Sequence, residues 1–427
     1  MTAIWKMCRR HGTAAALATA ALAAAWDASG APAEAACGPQ SGLVADSLAL
    51  LATAQQHTTA WDGPTTGPKA SPGKLVVYVA QDMRNGGVLG VSQGVQSAAA
   101  AIGWKLKIID GVGTVAGRVS AINQAVALKP DGIVLGSVDA QEEAAAIRAA
   151  AQQGIKIVGW HSAAAAGPVQ DPPIFTNVTT EAVNVAKVAA AYALQTTNCT
   201  AGAVIFWQSG DAIGIKKAEM MRDVIKACGS CKVLDYVNTP LADTAARMPQ
   251  NTTSLLQRFG AGWTVGLGIN DLYFDFAAPA LRTAGVPSSG PPRFISAGDG
   301  SVAAFDRVRS GSYQIGTVAE PLHEAGWQLI DELNRALAGQ PPSGYVAPVH
   351  LVTKDNIQFD GGAQEHLRSG QQLRAPLQGG VGIHGSLATR VSEGRRRGRG
   401  RPCPRPRAGT VANASGGLET PTMIRRA

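Results

Sequence analysis

The chain has 427 residues, of which 45% are hydrophobic and 16% are charged. This length and composition are those of a globular protein with more than one lobe, so a single small module and a wholly disordered chain are not expected. The net charge of +8 comes from the C-terminal segment, because residues 380–427 hold ten Arg, no Lys and two Glu, which leaves 28 basic and 28 acidic residues elsewhere. The neutral body excludes a basic, nucleic-acid-binding surface across the fold.

Residues 1–36 have the pattern of an export signal. A basic front precedes an Ala-rich and Leu-rich core, and a small-x-small site ends at Ala35. We therefore predict a signal peptide cleaved near Ala35 or Ala36 and a mature protein in the periplasm. Arg9-Arg10 leaves both general secretion and twin-arginine export open. No later run reaches the roughly 18 apolar residues that a membrane-spanning helix requires.

Residues 37–72 predict a leading helix, at 43–57, followed by a strap rich in Pro and Gly. From residue 73 onward, apolar strand-like runs alternate with helices whose buried faces have a period near four residues. In the first half of the chain the predicted strands are 74–80, 104–110, 132–136 and 155–160. Alternation of this kind predicts a parallel sheet with right-handed crossovers and helices on both faces.

The same alternation restarts after a Pro-rich break at residues 168–173. The predicted strands of the second half are 202–207, 232–236, 264–269, 293–297 and 313–318, and a last helix at 321–339 precedes an extended segment at 345–353. The sequence thus predicts an α/β protein with two doubly wound lobes. Residues 370–427 are dominated by Arg, Gly and Pro near their centre, so we predict a disordered tail there.

Polar side chains follow many of these predicted strands. Ligands of parallel sheets bind beyond the carboxyl ends of the strands, and two lobes that face each other form a cleft at that edge. Carboxylates and amides suit sugar hydroxyls, and a Trp face suits the C–H face of a sugar ring. The predicted ligand-binding residues are Gln81, Asp82, Asn85, Asp139, Trp160, His161, Trp207, Asn270, Asp271, Asp299 and Glu320.

Several short motifs occur in an order that points to a known family. They are the strand at 76–80, Ile102-Gly103-Trp104, Lys129-Pro130-Asp131-Gly132, Ile269-Asn270-Asp271 and Ser296-Ala297-Gly298-Asp299-Gly300. With this order and spacing, residues 73–355 resemble the type I periplasmic solute-binding proteins of the ribose and galactose kind, which serve ABC importers. The resemblance implies two lobes joined by a three-segment hinge, with lobe 1 at 73–176 plus 320–349 and lobe 2 at 177–319 plus 350–365.

The resemblance also implies individual ligand-binding residues. Asn270 and Asp299 match ligand-binding positions of the family, and Asn85 matches an amide of its first lobe. The chain departs from the family at Gly87-Val88, where an aromatic pair is usual, and at Trp160-His161, where Asp-Arg is usual. Its counterpart of a lobe-two Arg is Lys217, which we expect to be solvent-exposed on a helix. These departures favour a sugar other than ribose, or a cyclitol.

Cysteine spacing predicts a disulfide. Cys228 and Cys231 have the spacing of a redox motif, but they precede a strand and do not open a helix, so an activated thiolate is not expected. In an oxidising compartment the sequence predicts a disulfide within this pair, or between one of its members and Cys199. Cys37 is predicted to be an unlipidated thiol or one half of a disulfide. No metal site is predicted, because two further ligands near the pair are lacking.

Two enzyme motifs occur in unsuitable places. Gly90-Val91-Ser92-Gln93-Gly94 matches a hydrolase elbow, but Ser92 lies inside a predicted helix. The Gly-rich segment 111–117 follows the second strand and has its acidic residue before it, unlike a dinucleotide-binding loop. We therefore predict no enzyme activity and no cofactor. The hypothesis is a monomeric, exported substrate-binding protein that delivers a sugar or cyclitol to the membrane permease of an ABC importer, without a nucleic-acid partner. The alternative is a sensing subunit that docks on a membrane receptor.

Overall fold

The computed structural model describes residues 37–40, 42–57 and 62–360. The predicted signal peptide and Arg-rich tail lie outside these residues. Two six-stranded sheets, each with helices on both faces, form two lobes, as the sequence predicts. None of the helices in the described part of the chain is long and apolar enough to cross a membrane.

Lobe 1 contains the first sheet, whose strand order is β2-β1-β3-β4-β6-β5. Its strands are β1 (Leu75–Ala80), β2 (Lys105–Asp110), β3 (Gly132–Gly136), β4 (Lys156–Trp160), β5 (Gly167–Val169) and β6 (Ile174–Val178). Its helices are α2 (Gly86–Ala101), α3 (Val115–Ala127), α4 (Ala144–Gln152) and α10 (Leu322–Leu337).

The central strand of lobe 1 explains why both faces of its sheet are covered. Val76 and Tyr78 on β1 pack into a core with α2 and α10, whereas Val77 and Val79 pack into a second core with α3 and α4. Successive residues of a strand point to opposite faces, and here helices cover both faces of the sheet. All four side chains are therefore buried. A strand with two buried faces is continuously apolar, and this is the pattern that the sequence displays.

Lobe 2 contains the second sheet, whose order is β12-β11-β10-β9-β7-β8. Its strands are β7 (Gly202–Trp207), β8 (Lys232–Asn238), β9 (Val265–Gly268), β10 (Arg293–Ser296), β11 (Gln314–Ala319) and β12 (His350–Thr353). Its helices are α1 (Gly42–Ala54), α5 (Ala182–Thr196), α6 (Ala212–Ala227), α7 (Thr244–Phe259), α8 (Leu272–Thr283), α9 (Val302–Ser310) and the short α11 (Ile357–Asp360).

Two edge strands differ from the predicted pattern. β5 overlaps the predicted Pro-rich break at residues 168–173 and pairs antiparallel with β6, which begins directly after the break, and β6 also pairs in parallel with β4. The three residues of β5 include Pro168, which is tolerated because the strand lies at a sheet edge. Of the extended segment 345–353, only β12 pairs, antiparallel to β11.

The chain before β1 contacts both lobes. Val44, Leu48 and Leu51 of α1 are buried in the core of lobe 2. The strap then runs along lobe 1, where Asn334 of α10 donates to the Pro68 carbonyl at 2.7 Å and Trp104 donates its indole N–H to the Ser71 carbonyl at 2.7 Å. The leading segment is thus an integral layer of the fold.

Two disulfides join the four cysteines of the described residues. Cys37 is bonded to Cys199, and Cys228 is bonded to Cys231. The prediction of a bond within the Cys228 pair is therefore confirmed, as is a disulfide role for Cys37, and the alternative that joins the pair to Cys199 is wrong. The partner of Cys199 was hidden from the sequence because it lies 162 residues away and is brought close only by the packing of α1 on α5.

Candidate functional site

The carboxyl ends of the strands in the two sheets face each other across a cleft. Two features show how closely the lobes approach. The Ala212 N–H, at the start of α6 in lobe 2, donates to the Asp139 carboxylate of lobe 1 at 3.0 Å. On α2 of lobe 1, a Cβ added to Gly87 would lie only 2.2 Å from the Asp299 carboxylate of lobe 2. The absence of a side chain at Gly87 is what allows this approach.

Glu320 is the centre of one cluster in the cleft. It is 2% exposed and follows β11, where the chain crosses from lobe 2 to α10 of lobe 1. One carboxylate oxygen lies 2.7 Å from His161 Nε2 and accepts a hydrogen bond from the Thr180 hydroxyl at 3.0 Å, and the other accepts from the Trp160 indole at 3.2 Å. Burial opposes ionisation of Glu320, but His161, Lys217 and the hydrogen bonds outweigh it and lower its pKa to about 2.

Trp160, the last residue of β4, and His161, which follows it, stack on each other. The Trp160 side chain is fully buried, and the His161 ring stacks on it with centroids 3.9 Å apart and planes 14° from parallel. The indole face predicted to hold a sugar ring is thus covered by His161, and it is His161 that lines the cleft. The positive φ of 53° at His161 turns the chain sharply at the end of the strand and brings its ring back over Trp160.

Asn270 and Asp299 form the second cluster. Asn270 donates to the Asp299 carboxylate at 2.6 Å, and its own carbonyl oxygen accepts from the Leu272 N–H at 2.8 Å, at the start of α8. Burial raises the pKa of Asp299 to about 6, assisted by the charges of Glu320 and Asp271 and opposed by Lys217 and His161. The Asn270 side chain thus binds the first backbone N–H of α8 through its oxygen and Asp299 through its nitrogen.

Lys217 corrects a prediction. We expected it to be solvent-exposed, but it is 3% exposed and lines the cleft beside Asp299 and Asn270. Lys217 lies on the same helical face of α6 as Ile213 and Met221, at i−4 and i+4, and both of those are buried. The helix therefore presents this face to the interior and its ammonium group to the cleft.

Several predicted residues hold the site together. Asp271 accepts from the backbone N–H groups of Asp299, Gly300 and Ser301 at 3.0, 2.8 and 3.1 Å, and from Gln314 at 2.8 Å. These bonds use both of its oxygens, so Asp271 positions the loop that carries Asp299. Asp139 similarly accepts from the N–H groups of Gln141 and Glu142 at 2.9 and 3.1 Å.

The remaining predicted residues are Gln81, Asp82 and Asn85, which are buried after β1, and Trp207, which ends β7. Asp82 is ion-paired with Arg84 at 2.6 Å, and the Asn85 carbonyl oxygen accepts from the Gly87 N–H at 2.9 Å. Trp207 packs against Tyr236 on the neighbouring strand β8, with ring centroids 4.8 Å apart. Gln81, Asp82 and Asn85 all line a shared cavity with residues of lobe 2.

Among the described residues, two cavities adjoin each other in the cleft. The central cavity, of about 20 Å³, is lined by side chains that include His161, Asp211, Lys217, Asn270 and Asp299. The outer cavity, of about 220 Å³, is lined by Gln81, Asp82, Asn85, Arg118, Glu142, Gln208 and neighbouring residues. The described residues hold no cluster of three or more His, Cys, Asp or Glu suited to a metal ion. Ser92 lies inside α2 as predicted and donates to the Leu89 carbonyl at 2.7 Å.

Sequence reasoning missed Thr180 and Arg118. Thr180 follows β6, which the sequence does not predict. A polar residue is expected at the cleft only where a strand is predicted before it, so Thr180 was not selected. Arg118 is 4% exposed on α3 and pairs with Glu142 and Glu143. An Arg in a helix gives no local signal of burial, because its ion partners are 24 and 25 residues away in the chain.

Comparison with known proteins identifies the family. The sequence pattern described as a periplasmic binding protein domain matches residues 76–341, more than half of the chain. The chain therefore belongs to the periplasmic binding protein family, as the motifs predict, and its fold is the type I two-lobed α/β fold of that family. Comparison with curated protein sequences gives no match.

Solved structures share this fold at low sequence identity. An ABC transporter solute-binding protein from Agrobacterium vitis, bound with alpha-D-tagatopyranose, is 16% identical with a TM-score of 0.60, over 69% of this chain and 100% of that chain. GanP, a glucose-galactose binding protein from Geobacillus stearothermophilus, is 15% identical with a TM-score of 0.58, over 67% and 99%. A second A. vitis solute-binding protein, with bound allitol, is 17% identical with a TM-score of 0.55, over 67% and 97%.

Proposed function

We propose that this protein is an exported substrate-binding protein that closes its two lobes around a small, neutral, hydroxyl-rich ligand and delivers it to the membrane permease of an ABC importer. The observation that carries the proposal is the convergence of buried polar groups from both lobes in the cleft. His161 comes from lobe 1, Asn270 and Asp299 come from lobe 2, and Glu320 lies at the crossing between them. Family membership and the ligands named for the similar structures support the same class.

The mixture of groups favours hydroxyls. A hydroxyl both donates and accepts, and the cleft offers carboxylate acceptors beside the Lys217 ammonium and the Asn270 amide as donors. In the described part of the chain no side chain hydrogen-bonds with the Lys217 ammonium group, so that group is available to a ligand oxygen. Positive groups stand beside the buried carboxylates Asp299 and Glu320, and this balance favours a neutral ligand over a charged one.

Lobe closure supplies binding without chemistry. Glu320 hydrogen-bonds to His161 and Thr180 at the place where the chain crosses between lobes, so the hinge and the ligand site share residues. A ligand that contacts both lobes stabilises the closed form by its differential affinity for that form. An importer can then distinguish loaded from unloaded protein by shape.

The test is a ligand panel on the full chain by isothermal titration calorimetry. The panel contains D-tagatose, D-galactose, D-glucose, allitol, myo-inositol, amino acids and nucleosides. We expect at least one sugar, alditol or cyclitol to bind, and Asn270→Ala, Asp299→Ala and Lys217→Met each to weaken it by about tenfold or more, since each removes a hydrogen-bonding group from a buried site. Asp306→Ala, at an exposed position on α9, is the matched control and is expected to leave binding unchanged.

Two results would count against the proposal. Binding of amino acids or nucleosides alone would show that the ligand class is wrong, and binding of the ligand with unchanged affinity by Asn270→Ala and Asp299→Ala would place the ligand elsewhere. Delivery to an importer is tested separately, by uptake of the identified ligand in cells with and without this protein. If uptake is unchanged while binding is intact, the sensing alternative is favoured.

A further inference from the structure

The outer cavity is the larger of the two cavities described for the cleft. It has about 220 Å³, whereas the central cavity has about 20 Å³. A cavity needs about 10–15 Å³ on the same scale to hold one water molecule, so the central cavity has room for about one ligand hydroxyl and not for a sugar ring. Sites for drug-sized ligands have about 300–1,000 Å³, so the outer cavity suits a ligand as small as a single sugar ring or a cyclitol.

Residues from both lobes line the outer cavity. Val115 and Arg118 of α3 come from lobe 1, and Gln208 and Pro240, which follow β7 and β8, come from lobe 2. These positions lie beyond the carboxyl ends of the strands, where parallel sheets bind their ligands. A ligand in this cavity therefore contacts both lobes, with apolar side chains for its C–H groups and polar side chains for its hydroxyls.

Arg118 brings an unused donor to the outer cavity. The residue is 4% exposed, its Nε atom donates to Glu143 at 2.9 Å and its Nη2 atom donates to Glu142. Its Nη1 atom has no hydrogen-bond partner among the described residues, and it does not belong to the fully buried atoms that lack a partner. Nη1 therefore keeps accessible surface. Since the side chain lines the outer cavity, the Nη1 N–H groups can donate to a ligand there.

Glu142 supplies an acceptor beside that donor. Its Oε2 atom accepts from Arg118, and its Oε1 atom has no hydrogen-bond partner among the described residues. The Oε1 atom lies close to lobe 2, since a Cβ added to Gly210 would be 3.3 Å from it. Glu142 and Gly210 both line the outer cavity, and the Glu142 side chain is 28% exposed. A carboxylate oxygen only accepts, so this atom suits a ligand O–H.

A donor and an acceptor on one ion pair match two adjacent hydroxyls of a sugar. One hydroxyl oxygen accepts from Arg118 and the neighbouring hydroxyl donates to Glu142. The carboxylates that line the cavity are paired with Arg, since Asp82 also forms an ion pair with Arg84 at 2.6 Å. A phosphate or carboxylate ligand would meet these two carboxylates, so the lining favours neutral hydroxyls over an anion.

We propose that the ring of the ligand lies in the outer cavity, where Arg118 and Glu142 bind two adjacent hydroxyls, and that a single hydroxyl of the same ring system enters the central cavity. This inference rests on the proposed function, because it locates the same neutral, hydroxyl-rich ligand within the cleft. The two cavities adjoin at Leu241, which lines both. Arg118 and Glu142 are then specificity-determining residues, and the ligand class is a monosaccharide ring or cyclitol with adjacent hydroxyls.

The experiment measures how variants of the outer cavity bind single-ring probes. The probes are D-tagatose, D-galactose, D-glucose and myo-inositol, with the open-chain allitol for comparison, each titrated into the full chain by isothermal titration calorimetry. Glu142→Leu and Arg118→Lys are each expected to weaken the probe that binds by about tenfold or more, because each removes a hydrogen bond from a charged group. Arg118→Lys keeps a positive charge beside the buried Glu143. Glu219→Leu, at an exposed position on α6, is the matched control.

Monodeoxy forms of the probe that binds separate a direct contact from an effect on folding or closure. In the unmodified chain, loss of either of the two adjacent hydroxyls is expected to weaken binding by about fivefold to tenfold. In Glu142→Leu, the form that lacks the hydroxyl bound to Glu142 is expected to bind as tightly as its parent, because the partner of that hydroxyl is already gone. A residue that only supports the fold would weaken the parent and the deoxy form alike.

Circular dichroism and thermal midpoints establish that each variant is folded, and Glu142→Leu alone carries the test if Arg118→Lys is not. If the folded variants bind the probe as tightly as the unmodified chain while Asn270→Ala binds it weakly, the inference is refuted and the proposed function stands. The same holds if Glu142→Leu weakens the parent and every deoxy form by one factor, or if allitol is the only compound that binds. If no compound of the panel binds, the proposed function itself is wrong.

Discussion

Gly87 sets how closely the lobes can approach, and its replacement by Ala tests the closed arrangement directly. An added Cβ would lie 2.2 Å from the Asp299 Oδ2 atom and 2.7 and 2.8 Å from Asp299 Cγ and Cβ, whereas ordinary contact begins at 3.4 Å. The nearest pair must therefore separate by about 1.2 Å, the difference between 3.4 and 2.2 Å. Since the whole Asp299 side chain is too close, rotation of a single oxygen does not relieve the clash.

The cost falls on the closed form. Overpacking of this kind typically costs about 1–3 kcal/mol, which corresponds to a factor of about 5 to 150 in an equilibrium constant. Because Gly87 lies in α2, where Ala is the better helix former by roughly 1 kcal/mol, the open form is not expected to be destabilised. We thus expect Gly87→Ala to weaken ligand binding by this factor and to leave the thermal midpoint of the unliganded protein unchanged or higher.

Calorimetry measures the affinity, and small-angle scattering measures the decrease in radius of gyration on ligand addition. Gly229→Ala is the control, because a Cβ there meets no atom within 4 Å. Unchanged affinity and unchanged compaction in Gly87→Ala would refute the reasoning, since the lobes would then close without the contact between α2 and Asp299.

Two further predictions concern stability. Because the folded-state pKa of Glu320 is about 2, below its ordinary 4.5, its ionised form adds stability above pH 4.5 that is lost as the pH falls from about 4.5 to about 2. Glu320→Gln is expected to flatten this part of the stability profile, by at most about 3 kcal/mol, in urea unfolding measured from pH 2 to 6, and parallel profiles for both proteins would contradict the assignment. Replacement of Cys37 by Ser removes the disulfide that joins the segment before α1 to Cys199 after α5, and we expect a loss of about 2–4 kcal/mol in the free energy of unfolding and faster hydrogen exchange in α1. An α1 that remains fully protected in Cys37→Ser would show that packing alone holds it.

The order of strands and helices could be predicted from the sequence because each element carries its own periodicity. Strands such as β1 and β7 are short, continuous apolar runs, and the helices between them have apolar residues every three or four positions. Such patterns are local, so they need no knowledge of the partner element. β5 was missed because three residues that include a Pro carry no periodic signal.

The candidate site could be predicted only in part. Asn270 and Asp299 follow β9 and β10, and the topology of a parallel sheet places such residues at the cleft without further information. Trp160 is the last residue of β4, but whether a face of its indole stays open depends on the conformation of His161, and in the structure the His161 ring covers that face. A strand end predicts proximity to the cleft, and it does not predict side-chain orientation.

The sequence by itself determined the two α/β lobes, the family and the edge of each sheet where polar residues gather, because these follow from local patterning and from the order of motifs. Only the tertiary structure decided that Lys217 faces the cleft, that Cys37 pairs with Cys199 and that the outer cavity lies beside the central one. The physical reason is the same in each case. These features depend on which surfaces of two lobes meet, and residues far apart in the chain leave no local pattern that records their contact.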